Sequence, residues 1–263
     1  MFISSPQNPK IKSLKKLDKA SERREQGVFV IEGLRELCLA DKAGYEITQV
    51  FICEELLASD ESYSIDQCKL EGTEIYTITK NVYETISYRG TTEGVIATAK
   101  PKEHSLGRLK LSAPPLVLVI EGVEKPGNLG AMLRTCDASG VDAVIVCDTK
   151  TDIYNPNTVR SSIGTVFTNQ IAISSTADVI AFLKDKNICC YAADLTAAEG
   201  YYHKDFTRAT AIIVGDEATG LSAEWIAAAN EHIKIPMLGK IDSLNVSVSA
   251  AVLLYEALRQ RSV

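Results

Sequence analysis

The stretch Leu116-Val117-Leu118-Val119-Ile120 runs straight into Glu121-Gly122-Val123-Glu124-Lys125-Pro126-Gly127-Asn128-Leu129-Gly130, and a helical pattern then continues to Ser139. An unbroken apolar run of this length, with no polar alternation, reads as a strand covered on both faces. Working outward, five more short apolar or β-branched runs follow at 143–146, 170–173, 188–192, 211–214 and 232–235. Helical patterns lie between and after them at 130–139, 178–185, 223–230 and 246–259. Strands alternating with helices predict an α/β domain built on a parallel sheet with helices on both sides.

Upstream, the pattern describes a smaller α/β unit. Apolar runs at 28–31, 47–53, 74–78 and 94–99 read as strands, and 34–43 as a helix after Gly33. Ile11, Leu14 and Leu17 share one face of an amphipathic helix. Pro101, Pro114 and Pro115, with Gly107 and several basic residues, make 101–115 read as a linker. The predicted organisation is a first domain at 1–100, a linker at 101–115 and a second domain at 116–263. No internal repeat or low-complexity tract is present.

The composition of the 263 residues, 46% hydrophobic and 24% charged, is that of a folded protein and excludes wholesale disorder. No apolar run approaches the roughly 18 residues of a membrane span. The start of the chain, MFISSPQNPKIKSLKK, lacks the apolar centre of a signal peptide, so a cytoplasmic protein is expected. Seven cysteines without CxxC spacing fit reduced thiols better than disulfides or zinc. The net charge of −6 alone argues against a nucleic-acid partner, but it is unevenly placed. Lys10, Lys12, Lys15, Lys16, Lys19, Arg23 and Arg24 face only Asp18 and Glu22 within the first 24 residues, a balance of +5 that leaves −11 for the remainder. Such asymmetry suits either a local phosphate-binding surface or a solvated helix face.

Ligands of parallel α/β sheets sit at the carboxyl ends of the strands. Three segments there are unusual: 121–130 leading to Arg134, then 214–222 (Val-Gly-Asp-Glu-Ala-Thr-Gly-Leu-Ser), then 235–249 with Asp242-Ser243-Leu244-Asn245. Taken singly, each has a plain reading. Glycines make turns, and Ser222, Ser243 or Asn245 can cap helices. There is no Walker A sequence and no GxGxxG, which weighs against P-loop and dinucleotide sites. His104, His203 and His232 lie outside these loops, so a histidine base and a zinc site are not expected.

In order, residues and spacing, the three segments resemble the motifs of the SpoU (TrmH-type) RNA 2′-O-ribose methyltransferases across about 116–260. Asn155-Pro156, Arg160-Ser161-Ser162-Ile163-Gly164 and Phe167 fit the same pattern. More loosely, Ser5, Asn8-Pro9, the Lys-rich helix, Phe29, Glu32-Gly33 and Arg35 resemble the RNA-binding substrate domain often fused to it, a small L30e-like α/β fold. Two positions depart. Asp216 stands where many members have Asn, and Thr92-Glu93 stands where the substrate domain usually has Pro-Gln.

The resemblance implies a SPOUT-type α/β-knot domain, with a deep trefoil knot near its C-terminus. It implies S-adenosylmethionine as cofactor, contacted at Gly215, Ile235 and Leu244. It implies RNA, most directly ribosomal RNA, as substrate, a homodimer formed through the knot region, no metal and no membrane. Arg134 is implied as activator of the 2′-hydroxyl, with Asn128 orienting it or touching the nucleotide. Ser243 and Asn245 would bond phosphate or ribose, and Glu217 would order the loop. The alternatives are a non-catalytic RNA-binding protein on the same fold, or the same chemistry on transfer RNA.

Overall fold

The computed structural model describes residues 1–57, 63–88 and 93–262. The chain forms two compact units: Met1–Glu103 with Asp152–Thr168, and His104–Thr151 with Asn169–Val263. Thr92 lies outside the described residues.

The first unit begins with β1 (Phe2–Ile3), α1 (Pro9–Lys16) and α2 (Ala20–Gln26), followed by β2 (Phe29–Glu32), α3 (Leu34–Lys42) and β3 (Ile47–Ile52). It continues with β4 (Glu74–Ile78), α4 (Lys80–Ile86) and β5 (Val95–Ala99). Its five-stranded sheet runs β1-β4-β3-β5-β2. β1, β3 and β4 are parallel, while β5 is antiparallel to both β2 and β3. The single basic helix expected near the N-terminus is two helices. Pro9 opens α1, the Asn8 side chain accepts from Lys10 N–H, and Lys19 returns to an extended backbone before α2.

The first unit also takes in residues expected in the second domain. α6 (Pro156–Ser161) and α7 (Thr165–Thr168) belong to it. Tyr154 stacks on Phe29 with ring centroids 4.1 Å apart, and the hydroxyls of Tyr154 and Tyr45 lie 3.1 Å from each other. Arg23, 5% exposed, donates from Nε to Asp152 at 2.8 Å and from Nη1 to the carbonyls of Leu17 and Asp18. A buried guanidinium satisfied at this many points acts as a tie between chain segments far apart in sequence.

In the second unit all six expected strands are present. These are β6 (Leu116–Glu121), β7 (Ala143–Cys147), β8 (Ile171–Ser174), β9 (Cys189–Ala193), β10 (Thr210–Val214) and β11 (Glu231–Ile233). The sheet order is β11-β9-β10-β6-β7-β8 and every pairing is parallel. In register, Thr210 lies beside Leu116 and Val214 beside Ile120. Its helices are α5 (Pro126–Ser139), α8 (Thr176–Asp185), α9 (Ala223–Ala228) and α10 (Val246–Arg261).

Alternation along each strand divides the core. Val117, Val119, Ile145 and Ile213 pack with Val179 and Leu183 of α8 and with Trp225 of α9. The intervening Leu118, Ile120, Ile212 and Val214 are equally buried, and α10 packs on β10 and α5. Much of the expected linker is part of this unit. Leu106, Leu109 and Leu111 pack on the core, and Ile173 N–H donates to the carbonyl of His104 at 2.8 Å. Proline and charge suggested a free tether; three leucines at the sheet edge outweigh them.

Candidate functional site

A cavity of about 470 Å³ opens at the carboxyl ends of β9, β10 and β11. Gly215, from the loop after β10, and Ile235 and Leu244, from the two ends of the connection between β11 and α10, all line it, as do Glu217 and Ser243. Val214, Ile226 and Ile233 add apolar wall, while the 215–221 loop contributes main chain.

Gly215 is required here for a reason internal to the protein. A Cβ at this position would lie 2.3 Å from the carbonyl oxygen of Gly220 and 2.7 Å from the nitrogen of Leu221. The close approach permitted by the missing side chain is thus that of the loop's own far limb. Gly220 N–H donates to the carbonyl of Asp216 at 2.9 Å, closing the loop. The Asp216 carboxylate accepts from Ala218 N–H at 2.9 Å and Thr219 N–H at 3.3 Å. Those amide donors outweigh partial burial and hold its carboxyl below the usual range. Asp in place of Asn therefore serves the loop, because both side chains offer the oxygen this turn needs.

At the rim, four side chains from three segments join. Lys125 pairs with Glu217. Asn245 Nδ2 donates to Glu217 Oε1 at 2.6 Å and to Asn128 Oδ1 at 3.2 Å. Asn245 Oδ1 caps α10 by accepting from Ser247 N–H at 3.0 Å and Ser247 Oγ at 2.6 Å. The capping and site readings of Asn245 are therefore both satisfied by one amide. The Lys125 ammonium depresses the Glu217 carboxyl most; burial opposes this, and Val246 N–H and Asn128 add to the depression. The same contact raises the Lys125 ammonium. Beneath the rim, the buried carboxylate of Glu121 accepts from Ser222 N–H at 2.7 Å and Thr176 Oγ1 at 3.0 Å, fastening the end of β6 to the loop after β10.

Arg134 stands apart from this cluster. It is exposed on α5, it does not line the cavity, and among the described residues it has no hydrogen-bond or ion-pair partner. Asn128 does not orient it. Six residues of helix separate the two by about 9 Å along the axis and turn them to different faces. Ser243 is exposed at the cavity edge, its hydroxyl 3.4 Å from Asp242.

Sequence reasoning missed Lys125 as the partner of Glu217. It also missed Asp194, Leu195 and Thr196, which line the cavity. The Asp194 carboxylate accepts from Thr196 N–H and Oγ1 at 2.9 Å, and it lies 3.5 Å from His232 Nδ1. Their place immediately beyond a predicted strand, at its carboxyl end, was the available signal. Among the described residues, no group of three or more His, Cys, Asp or Glu could hold a metal ion, and no helix is long and apolar enough to cross a membrane.

The basic N-terminal residues divide in two. Arg23 is buried on Asp152, and Lys10 donates to Glu74 at 2.8 Å, so neither is a free cation. Lys12, Lys15, Lys16, Lys19 and Arg24 are exposed and, among the described residues, without a partner.

Comparison with known proteins agrees with this geometry. Residues 115–255 match the SpoU rRNA Methylase family, and residues 8–97 match the MRM3-like substrate binding domain. The 23S rRNA (guanosine(2553)-2′-O)-methyltransferase RlmP of Bacillus subtilis is 31% identical over 96% of this chain and 97% of its own. A crystal structure of an RNA 2′-O ribose methyltransferase is 40% identical, with a TM-score of 0.87 and 100% of both chains covered. An AdoMet-bound rRNA methyltransferase from Sinorhizobium meliloti is 26% identical, with a TM-score of 0.88 over 98% of this chain and 97% of that one. A parallel sheet with a loop-built cavity at its carboxyl edge, matched in sequence along its length, places this chain in the SpoU rRNA methylase family.

Proposed function

We propose that this chain is an S-adenosylmethionine-dependent RNA methyltransferase acting on a ribose 2′-hydroxyl, with ribosomal RNA as its substrate. The observation that carries this reading is the convergence of Gly215, Ile235 and Leu244 on one cavity that also takes in Glu217, the centre of the rim cluster. The residues fit the cofactor. A volume of about 470 Å³ lies in the small-ligand range. Val214, Ile226, Ile233, Ile235 and Leu244 offer an apolar wall for a purine, and the main chain at 215–221 offers polar contacts beside it.

When bound, S-adenosylmethionine supplies an electrophilic methyl group. The chain's own residues would do the rest. Arg134 is permanently charged, and among the described residues it has no ion-pair partner. It would activate the 2′-hydroxyl, stabilise oxyanion character as that hydroxyl loses its proton, or hold the adjacent phosphate while that phosphate takes the proton. Asn128 and Asn245 would present amide groups to the nucleotide, and Ser243 a hydroxyl to phosphate or ribose. Glu217 would keep the three loops in register. Holding the oxygen in line with the methyl supplies much of the acceleration.

The reading includes a substrate-binding domain at 1–100 and a catalytic domain at 116–263, with 152–168 folded into the former. It also includes a trefoil knot near the C-terminus, a cytoplasmic location, no metal requirement and a homodimer. Support for the dimer comes from α10, where Val248 is 46% and Tyr255 49% exposed on one face. Calorimetry with S-adenosylhomocysteine, paired with radiolabelled methyl transfer to ribosomal and transfer RNA, tests the proposal. Cofactor-product binding with transfer to ribosomal RNA is expected. No binding overturns it, binding without transfer favours a non-catalytic RNA-binding protein, and transfer to transfer RNA alone reassigns the substrate.

A further inference from the structure

A second cavity, of about 700 Å³, lies at the opposite end of the second unit's sheet, where β9 and β10 begin. Ile180, Ile188, Ala209 and the flank of α9 supply apolar lining. Its polar lining is one-sided. Apart from two cysteines it consists of Lys184, Asn187, Arg208, Trp225 and Asn230, every one able to donate a hydrogen bond and none a carboxylate. In a chain of net charge −6, a pocket with two cations and no lining anion is a local reversal of sign.

The donors there are only partly used. Lys184 is exposed and has no partner among the described residues. Arg208 gives Nε and Nη2 to the Tyr191 hydroxyl at 3.0 and 2.8 Å, leaving Nη1; Asp205 is the acidic neighbour that also acts on it, from outside the lining. Asn230 uses its oxygen on Cys190 N–H at 2.8 Å, which leaves its amide N–H groups. Trp225 is fully buried, and among the described residues its indole nitrogen has no hydrogen-bond partner. A buried donor without an acceptor is uncommon in folded proteins, and Trp225 brings one to this lining.

We propose that this cavity is a second ligand site, which takes a small organic oxyanion: an apolar body against Trp225 and Ile188, with its phosphate or carboxylate toward Lys184 and Arg208. The site is distinct from the first cavity, and its assignment does not depend on the methyltransferase reading. The two are lined from opposite directions by α9, Ile226 facing the first and Trp225 the second.

The sequence itself supplies the reporter, because Trp225 is the chain's one tryptophan. Emission of the intact protein would be titrated with phenyl phosphate, benzoate, phenol and inorganic phosphate, while alkylation of Cys189, in the same lining, is followed by peptide mass. Phenyl phosphate or benzoate should change Trp225 emission saturably and slow Cys189 alkylation. Phenol and inorganic phosphate should need at least about ten-fold higher concentrations. Lys184→Gln with Arg208→Gln should raise the half-saturation concentration about ten-fold while S-adenosylhomocysteine affinity stays within about two-fold. Lys184→Gln alone, at an exposed position that cannot threaten folding, should raise it several-fold. The proposal is overturned by no saturable change below about 10 mM, by a response to phenol equal to that of phenyl phosphate, or by an unchanged response in the Lys184→Gln protein.

Discussion

The two units spend their polar groups differently. In the second, polar side chains gather at the carboxyl edge of an all-parallel sheet, where Asn128, Glu217 and Asn245 bond one another beside a cavity. In the first, the most deeply buried cation, Arg23, holds its own unit together through Asp152 and two carbonyls. One arrangement is open to a ligand and the other is closed on itself. A change at the edge should therefore alter turnover or ligand affinity, and a change at the tie should alter stability.

The largest expected effect is on Arg134. Arg134→Ala should lower methyl transfer by about 10³-fold, equivalent to roughly 4 kcal/mol of transition-state stabilisation. Because the side chain is exposed and has no partner among the described residues, melting temperature and S-adenosylhomocysteine affinity should hold. Equal losses of affinity and rate would make it a structural residue. Next comes Arg23→Met, which leaves Asp152 and two carbonyls without their donor. Denaturant unfolding should show a loss of about 3 kcal/mol, with S-adenosylhomocysteine binding unchanged in the folded protein. If binding falls instead, the division of labour between the units is wrong.

Gly215→Ala tests whether a single position can serve both ends, since its Cβ meets the Gly220 carbonyl. Displacing that limb should cost about 1–3 kcal/mol and weaken S-adenosylhomocysteine binding at least ten-fold; a normal affinity would remove the loop from the pocket.

Asn245→Ala removes a helix cap and the amide that bridges Asn128 to Glu217. A loss of about 1 kcal/mol is expected. A pH dependence follows from the bond that Asn245 Nδ2 donates to the ionised Glu217, whose carboxyl Lys125 above all holds below the usual range. Its contribution is present above the ordinary carboxylate range and is lost as pH falls through the lower folded value. The gap between wild type and Asn245→Ala should therefore narrow on acidification, and a constant gap would show that only the cap matters.

The smallest effect on folding is expected when Lys12, Lys15, Lys16 and Lys19 are changed together to Ser. Stability should move by less than about 0.5 kcal/mol. The salt dependence of RNA binding should become shallower by about 0.7–0.9 for each phosphate that is no longer neutralised. An unchanged slope would move the RNA surface away from α1.

What could be read from the residues follows the same division. In the second unit β6, β7 and β10 were the most legible, because each is buried along its whole length and so carries a continuous β-branched or apolar run, while the edge strands β8 and β11 are only partly buried and carry a shorter signal. The start of α5 was less so. Pro126, Gly127 and Gly130 look like a turn, yet Pro126 is the first residue of the helix, where its missing N–H costs nothing. The first unit was harder. β1 is two residues long, too short for any periodicity. Nothing local in 152–168 says that it belongs with Phe29 and Arg23, because that membership rests on a ring stack and an ion pair across more than a hundred residues. Likewise Gly215, Ile235 and Leu244 could be placed on loops from sequence, but the pairing of Lys125 with Glu217 needs the loops folded.

The tie between Arg23 and Asp152 also has a place in time. Its two ends are 129 residues apart, and a ribosome adds roughly 5–20 residues per second. A nascent chain therefore carries the Arg23 guanidinium for on the order of ten seconds before its carboxylate has been made. Met1–Glu103 leaves the exit tunnel lacking α6, α7 and the ring that stacks on Phe29. The first unit to be synthesised thus cannot be completed from its first hundred residues alone. Its last pieces arrive only after β6, α5 and β7 of the second unit have been translated, so synthesis of the second unit begins before that of the first is complete.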